Sequence, residues 1–78
     1  MVDRNAEKVT ANLVKLLKER RLAKGLSHQT VADISGLSRS TISRVESGLR
    51  TPTITVCIKI AAAIGADLAD LVKRAGKG

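Results

Sequence analysis

Hydrophobic positions recur every three or four residues along most of this chain, a period that predicts α-helices. No stretch alternates apolar and polar residues with the period of two that a half-buried strand requires. Glycines follow the helical stretches and are expected to end them, at Gly25, Gly36, Gly48, Gly65 and Gly76. The pattern therefore predicts an all-α protein, folded as a compact bundle of five helices.

The helices predicted from this pattern cover, in chain order, residues 5–24, 28–35, 39–47, 54–64 and 68–75. Four residues precede the last four helices and can accept hydrogen bonds from the N–H groups of the first turn, namely Ser27, Ser38, Thr53 and Asp67. We expect a single domain over residues 1–78, with residues 1–8 as a loose arm and residues 76–78 as a tail.

The fourth predicted helix, ITVCIKIAAAI, is apolar nearly all round, whereas a surface helix of a small monomer has a wide polar face. Its residues expected in the core are Ile54, Cys57, Ile58, Ala61 and Ile64. The remaining apolar positions of this helix need a second partner. The fifth helix can cover some of that surface and a two-fold dimer contact can cover the rest, so the candidate dimer interface consists of Val56, Ile60, Ala63 and Leu68. Elsewhere, the pattern assigns Leu22, Ile34 and Val72 to inward faces.

The stretch LSHQTVADISGLSRSTISRVESG, residues 26–48, predicts two short helices joined by a tight turn. Ser27 and Ser38 lie eleven residues apart, which leaves the first helix about two turns before Gly36. Gly36 can adopt the positive φ that ends a helix sharply. Two short helices, the second rich in arginine and hydroxyl groups, have the layout of a helix-turn-helix that reads DNA.

The charge of the chain favours a polyanionic partner. Fourteen Lys and Arg against seven Asp and Glu give a net charge of +7. The chain has no Phe, Tyr or Trp, and single-stranded nucleic acid is usually bound by stacking bases on such side chains. Double-stranded DNA, read by a helix in the major groove, requires no aromatic residues and is the expected partner.

Several classes of function are not expected from the composition. The chain has one cysteine, Cys57, and one histidine, which are too few for a metal cluster, a disulfide or a catalytic triad. No glycine-rich loop follows a strand, so we expect no enzyme activity, no cofactor and no small-molecule ligand. The N-terminus carries charges where a signal peptide needs an apolar core, and no apolar run is long enough to span a membrane. These features predict a cytoplasmic protein.

Several motifs resemble one family when they are taken together. They are GLS (25–27), VA (31–32), GLSRSTISRVESG (36–48), TP (51–52) and KIAAAIGADLADL (59–71). In this combination the chain resembles the XRE-type helix-turn-helix family, which includes phage repressor and Cro proteins. The resemblance covers about three quarters of the chain and implies a five-helix fold that binds DNA in a sequence-specific manner.

The resemblance also implies roles for the residues of the second short helix. Arg39 and Ser40 correspond to positions that contact base edges, and Arg44 corresponds to a further base contact. Thr41 and Ser43 can reach a base or a phosphate. For the two arginines there is independent chemical support, since a guanidinium group matches the O6 and N7 acceptors of guanine.

Phosphate contacts are expected at the start of the first short helix and in the loop after the second. His28 stands where many relatives carry glutamine, and Gln29 follows it. Because histidine can gain a proton, we expect DNA affinity to rise as the pH falls toward 6. In the loop, Arg50, Thr51 and Thr53 match positions that hold the DNA backbone. The family pattern further implies a structural ion pair between Arg21 and Glu46.

Two functions remain open from the sequence. The first is a dimeric transcriptional regulator on a short palindromic operator, which acts by occupying DNA and by blocking or contacting RNA polymerase. The alternative is an interaction module, such as an antitoxin or an adaptor of the transcription machinery, that binds a protein through its apolar fourth helix. Restriction–modification controllers, prophage repressors and antitoxins all have members of this size, and the sequence does not choose among them.

Overall fold

The computed structural model describes residues 4–77, which form five α-helices. These are α1 (Arg4–Ala23), α2 (His28–Ser35), α3 (Arg39–Glu46), α4 (Ile54–Ala63) and α5 (Leu68–Lys77). The predicted all-α class and the order of the helices are confirmed.

The predicted free ends are wrong within the described residues. Because α1 begins at Arg4, residues 4–8 belong to a helix, while residues 1–3 of the predicted arm lie outside the described part. The predicted tail is helical as far as Lys77, and residue 78 lies outside that part. Gly76 does not end α5, because it lacks the positive φ found at Gly25, Gly36, Gly48 and Gly65.

The predicted caps are present at all four helix starts. Each cap oxygen accepts a hydrogen bond from a first-turn backbone N–H, at distances of 3.0, 3.1, 3.1 and 3.0 Å for Ser27, Ser38, Thr53 and Asp67. At the other end of α2, Gly36 takes φ +77° and its N–H donates to the carbonyl of Ala32 at 2.9 Å. These local bonds fix where α2 stops and α3 begins.

The helices enclose one core. α1 packs against α5 and α3, α2 packs against α3 and α4, and α4 packs against α5. The largest fully buried side chains are Val31, Ile42, Val45, Ile64 and Leu71. A hydrogen bond also joins the first and last helices. The Asn12 amide of α1 donates to the carbonyl of Ala75, near the end of α5, at 3.1 Å.

The orientation predicted for α4 is wrong, and with it the proposed dimer residues. Val56 and Ile60 are only 8% and 4% exposed, and Ala63 and Leu68 are half-buried against the core. The domain's own helices cover Val56 and Ile60 and partly cover Ala63 and Leu68, so the four residues do not form an exposed apolar face for a second subunit. α4 lies between α2 and α5, and the face that meets these two neighbours is the buried one.

Two isoleucines of α4 occupy the outer face instead. Ile54 and Ile58 were expected in the core, but they are 66% and 53% exposed. The only polar residues of this helix, Thr55 and Lys59, lie one turn apart and are both exposed. This stripe is narrow, so it does not tell whether Ile54 and Ile58 on one side of it or Val56 and Ile60 on the other are buried.

Three further hydrophobic residues were wrongly assigned to inward faces. Leu22, Ile34 and Val72 are exposed, at 56%, 60% and 40%. Leu22 and Val72 directly follow the buried residues Arg21 and Leu71, and one residue turns a helix by about 100°. Each therefore lies beside the buried stripe of its helix.

Candidate nucleic-acid interface

The helix-turn-helix is formed by α2 and α3, which pack on each other through buried side chains. Val31 and Ala32 of α2 and Ile42 and Val45 of α3 are all buried. Burial of these positions directs the opposite side of α3 to solvent. The sequence thereby determines which of its polar side chains a partner can reach.

The solvent face of α3 carries four of the five residues predicted to read bases. Arg39, Ser40, Ser43 and Arg44 are exposed. Within the described residues, neither arginine side chain has a carboxylate or hydrogen-bond partner, so both guanidinium groups are available to a ligand. The Ser40 hydroxyl lies 3.2 Å from the Ser38 hydroxyl.

Thr41, the fifth of these residues, is half-buried and already bonded within the protein. Its hydroxyl lies 2.7 Å from the cap oxygen of Ser38 and 3.4 Å from Nη1 of Arg50, which is the donor in the latter contact. Thr41 thus links the start of α3 to the loop that follows α3. This link joins residues nine positions apart in the chain, and no periodic pattern in the sequence indicates it.

The loop after α3 is held against the end of that helix. The backbone N–H groups of Leu49 and Arg50 both donate to the carbonyl of Arg44, at 3.0 and 3.2 Å. Arg50 and Thr51 are exposed, while Thr53 uses its hydroxyl oxygen as the cap of α4. All three residues predicted to contact phosphate in this loop are therefore exposed beside α3, although the hydroxyl oxygen of Thr53 is already engaged as a cap.

The helix starts in this region carry no negative charge. The first turns of α2, α3 and α4 contain no acidic residue, and neutral hydroxyl groups cap all three helices. Their N–H dipoles leave a partial positive charge that favours an anion. By contrast, Asp67 caps α5 and Asp70 lies in its first turn, so that helix start is already neutralised.

Both candidate phosphate ligands at the start of α2 have internal partners. The Gln29 amide donates to Oδ1 of Asp33 at 2.9 Å. Nε2 of His28 lies 3.0 Å from Oε1 of Glu46, while Nδ1 has no partner among residues 4–77 and is not buried. His28 therefore has one ring nitrogen inside the protein's own network and one free for a ligand.

The ion pair that the family pattern implies is present beneath this surface. Nε and Nη2 of Arg21 donate to the two oxygens of Glu46 at 2.7 and 2.8 Å, and both side chains are 9% exposed. Nη1 of Arg21 donates to the carbonyl of Leu26 at 2.7 Å. One buried arginine thus joins α1, the loop after α1, and α3.

The network also sets the charge of its members. Burial alone would raise the pKa of Glu46, but hydrogen bonds and positive charge from Arg21 and His28 outweigh burial and hold that pKa below its ordinary value. The hydrogen bond to Glu46 raises the pKa of Arg21. Glu46 therefore remains ionised, but its charge is cancelled inside the protein and does not repel a polyanion at the surface.

The described residues offer little for other chemistry. No group of three or more potential metal ligands occurs among residues 4–77. Cys57 is buried, and burial raises the pKa of its thiol, which disfavours the reactive thiolate. No helix in the same range is long and apolar enough to cross a membrane.

These features define a helix-turn-helix DNA-binding protein: exposed arginines on α3, helix starts without negative charge, and an arginine in the loop that follows α3. The family described as Helix-turn-helix matches residues 17–71 of the chain. The protein therefore belongs to the XRE-type helix-turn-helix family of DNA-binding regulators. No curated protein gives a match of significance.

Proposed function

We propose that this protein is a dimeric transcriptional regulator that binds a short palindromic operator and acts by occupying it. The observation that carries the proposal is the solvent face of α3, where Arg39 and Arg44 have no carboxylate partner among residues 4–77 and the helix start is free of acidic residues. Such a face can donate paired hydrogen bonds to guanine while the backbone N–H groups attract phosphate.

In this proposal, direct base contacts come from Arg39, Ser40, Ser43 and Arg44. Thr41 contributes by holding Arg50 beside the helix, because its hydroxyl is already engaged at 2.7 and 3.4 Å. Arg50, Thr51 and Nδ1 of His28 contact the phosphates, and Gln29 and Thr53 add weaker contacts from their helix starts. Two subunits would place their reading helices in successive major grooves, about 34 Å apart.

The outer face of α4 is the candidate dimer contact, in place of the buried residues. Ile54 and Ile58 lie one turn apart on the same side of the helix, and both are more than half exposed. A two-fold contact through them would bury apolar surface that a domain of this size otherwise leaves in water. Ile58→Glu should give a monomer in sedimentation equilibrium, whereas Val72→Glu, the same change on α5, should not.

The experiment that tests the proposed function is selection of random duplex DNA by the purified protein near 0.15 M salt. Binding should be followed through a label on the DNA, because the chain has no Trp or Tyr. Enrichment of two inverted half-sites, spaced by about one helical turn, supports a dimeric operator-binding regulator. Weak binding with no enriched sequence contradicts it.

A second candidate function is an interaction module for a toxin or for RNA polymerase. The same exposed isoleucines favour it, since an apolar face on α4 can receive a different protein as well as a second copy. This reading predicts a monomer with little sequence preference on DNA. Sedimentation and selection on one sample therefore separate the two candidates.

A further inference from the structure

A groove of about 530 Å³ lies between α1 and the loop that follows the reading helix. One wall comes from the first part of α1, including Ala11, Val14 and Lys15. The other wall comes from the end of α3 and the loop, including Val45 and Pro52. Its volume is in the range of small-molecule sites, which is about 300–1,000 Å³.

Most of the α1 wall lies outside the part of the chain that matches the family. The match begins at residue 17, and of the α1 residues that line the groove only Lys18 follows that point. The groove is therefore built by the long first helix of this chain against a loop of the common domain. A ligand in this groove would go against the prediction, from the sequence, of a regulator without a small-molecule ligand.

The walls and the rim of the groove differ in character. Val14 and Pro52 are half-buried and Val45 is fully buried, so the interior is apolar. Lys15, Lys18 and Arg50 stand at the rim as exposed cations.

The charges at the rim are not balanced. None of the three cations has a carboxylate partner among residues 4–77. The two carboxylates that line the groove are Glu7 and Glu46, and Arg21 already neutralises Glu46. An apolar interior under a net positive rim complements a molecule with an apolar body and a negatively charged head.

We infer that this groove binds a small amphipathic organic anion, with its apolar body between Val14 and Pro52 and its charge between Lys15, Lys18 and Arg50. The second wall of the groove adjoins the reading helix. Arg50 lines the groove and also hydrogen-bonds Thr41 of α3 at 3.4 Å. An anion that binds Arg50 competes with DNA phosphate for the same guanidinium group, so ligand and DNA weaken each other's binding by the same factor.

The effect on DNA rests on the proposed function, but binding in the groove does not and is tested without DNA. The probe is 8-anilino-1-naphthalenesulfonate, an organic anion with an apolar body whose fluorescence rises in an apolar site. The full chain has no Phe, Tyr or Trp to interfere. We expect saturable binding of one probe per chain, and binding at least about fivefold weaker for the uncharged analogue N-phenyl-1-naphthylamine.

Matched variants locate the site. Lys15→Glu reverses a rim charge, and Lys73→Glu makes the same change on the exposed surface of α5. Ala11→Glu places a carboxylate on the groove wall, and Ala69→Glu does so on α5. We expect the two groove variants to bind the probe at least about fivefold more weakly and the two α5 variants to bind it as the unaltered chain does. Unchanged thermal melts by circular dichroism show that all four variants remain folded.

Amide chemical shifts give the second readout of the location. We expect the probe to shift the amide signals of Val14 on one wall and of Gly48 and Arg50 on the other. Shifts centred on Ile54 and Ile58 overturn the inference, since they place the probe on the apolar face of α4. Equal affinity of the Lys15→Glu and Lys73→Glu variants, or the lack of saturation, also overturns it.

A final arm measures affinity for the selected duplex with and without the probe. If the groove is occupied and no duplex is selected, the ligand site stands and the proposed function fails. If a duplex is selected but the probe does not bind the groove, the proposed function is supported and the ligand site is not. Loss of duplex affinity in Lys15→Glu, without probe binding to the unaltered chain, assigns the rim to DNA phosphate and overturns the inference.

Discussion

α3 and α5 are both basic helices with an exposed face and a single carboxylate, but the carboxylate is paired differently in each. In α5, Asp70 forms an exposed ion pair with Arg74 of the same helix, with 2.9 Å between Oδ2 and Nε. In α3, Glu46 is paired with Arg21 of α1, a residue from outside the helix. Arg39 and Arg44 of α3 have no carboxylate partner among residues 4–77.

This comparison shows that the number of arginines does not determine whether a helix can bind an anion. The first turn of α5 carries Asp70 and its cap is Asp67, which together cancel the positive helix start. The first turn of α3 carries no acid, and its cap is the neutral Ser38. Placement of carboxylates separates the candidate DNA surface from an ordinary solvated one.

The largest expected effect is on stability, and it should differ between the ion pair of α3 and the ion pair of α5. Arg21→Ala leaves Glu46 poorly solvated and should lower the free energy of unfolding by about 3–5 kcal/mol. Arg74→Ala removes an exposed pair and should cost about 0–1 kcal/mol. Urea unfolding followed by far-ultraviolet circular dichroism measures both.

The double variant sharpens this test. Arg21→Ala with Glu46→Ala removes both charges, so it should be more stable than Arg21→Ala alone. If all three variants had similar stability, the pair would have no structural role.

Acid should weaken the α3 pair in a predictable direction. The pKa of Glu46 is lower in the folded chain than in the unfolded chain, so the unfolded state takes up the proton more readily. The stabilisation is complete above the ordinary glutamate pKa of about 4.3 and is lost as the pH falls through the lower folded pKa. At pH 6 the unaltered chain should unfold at a higher urea midpoint than Glu46→Gln. The difference between the two midpoints should become smaller toward pH 3. A difference that does not change with pH contradicts the assignment.

Replacing an arginine by alanine should affect DNA affinity differently in α3 and in α5. Arg39→Ala should cost about 1–3 kcal/mol on the selected duplex and relax the preference at one base pair. Arg74→Ala removes the same charge from α5 and should have little effect at any base pair. Labelled-duplex titrations on the selected site and on single-base variants measure this. Equal losses for Arg39→Ala on every duplex would show that Arg39 contacts phosphate.

A smaller and sequence-independent loss is expected in the loop. Arg50→Ala removes one phosphate contact, so it should weaken binding to all duplexes alike, by about fivefold near 0.15 M salt. The slope of log affinity against log salt should fall by about one unit. An unchanged slope would place Arg50 away from the phosphates.

The smallest effect concerns His28. When the ring is neutral, the Nε2 bond to Glu46 requires the proton on Nε2, since a carboxylate only accepts, and Nδ1 then has no hydrogen to donate. Nδ1 donates to phosphate only in the doubly protonated ring, whereas the amide of a glutamine always carries donors. His28→Gln should therefore raise the affinity for all duplexes by about 0.5–1 kcal/mol. Equal affinity of the two proteins in labelled-duplex titrations would contradict this role of His28.

The local features of this fold were readable from the sequence because neighbours in the chain produce them. The four caps and the left-handed glycine at residue 36 depend on bonds that span four residues or fewer. The solvent face of α3 was readable as well, because Ile42 and Val45 are its only large apolar residues and must point inward.

The orientation of α4 was not readable for the opposite reason. Its only polar residues, Thr55 and Lys59, form a narrow exposed stripe with apolar residues on both sides, and the neighbours α2 and α5 decide that the side with Val56 and Ile60 is buried. The Arg50 contact to Thr41 and the groove beside α1 likewise depend on how separate segments pack.

The sequence by itself determined the helical class, the helix starts and the solvent face of α3 with its two arginines, because periodicity and capping act within one or two turns. Tertiary structure alone decided which isoleucines are exposed, which nitrogen of His28 is free, and where α1 leaves a groove. These properties depend on the angles and distances between helices, and side chains far apart in the chain set those jointly.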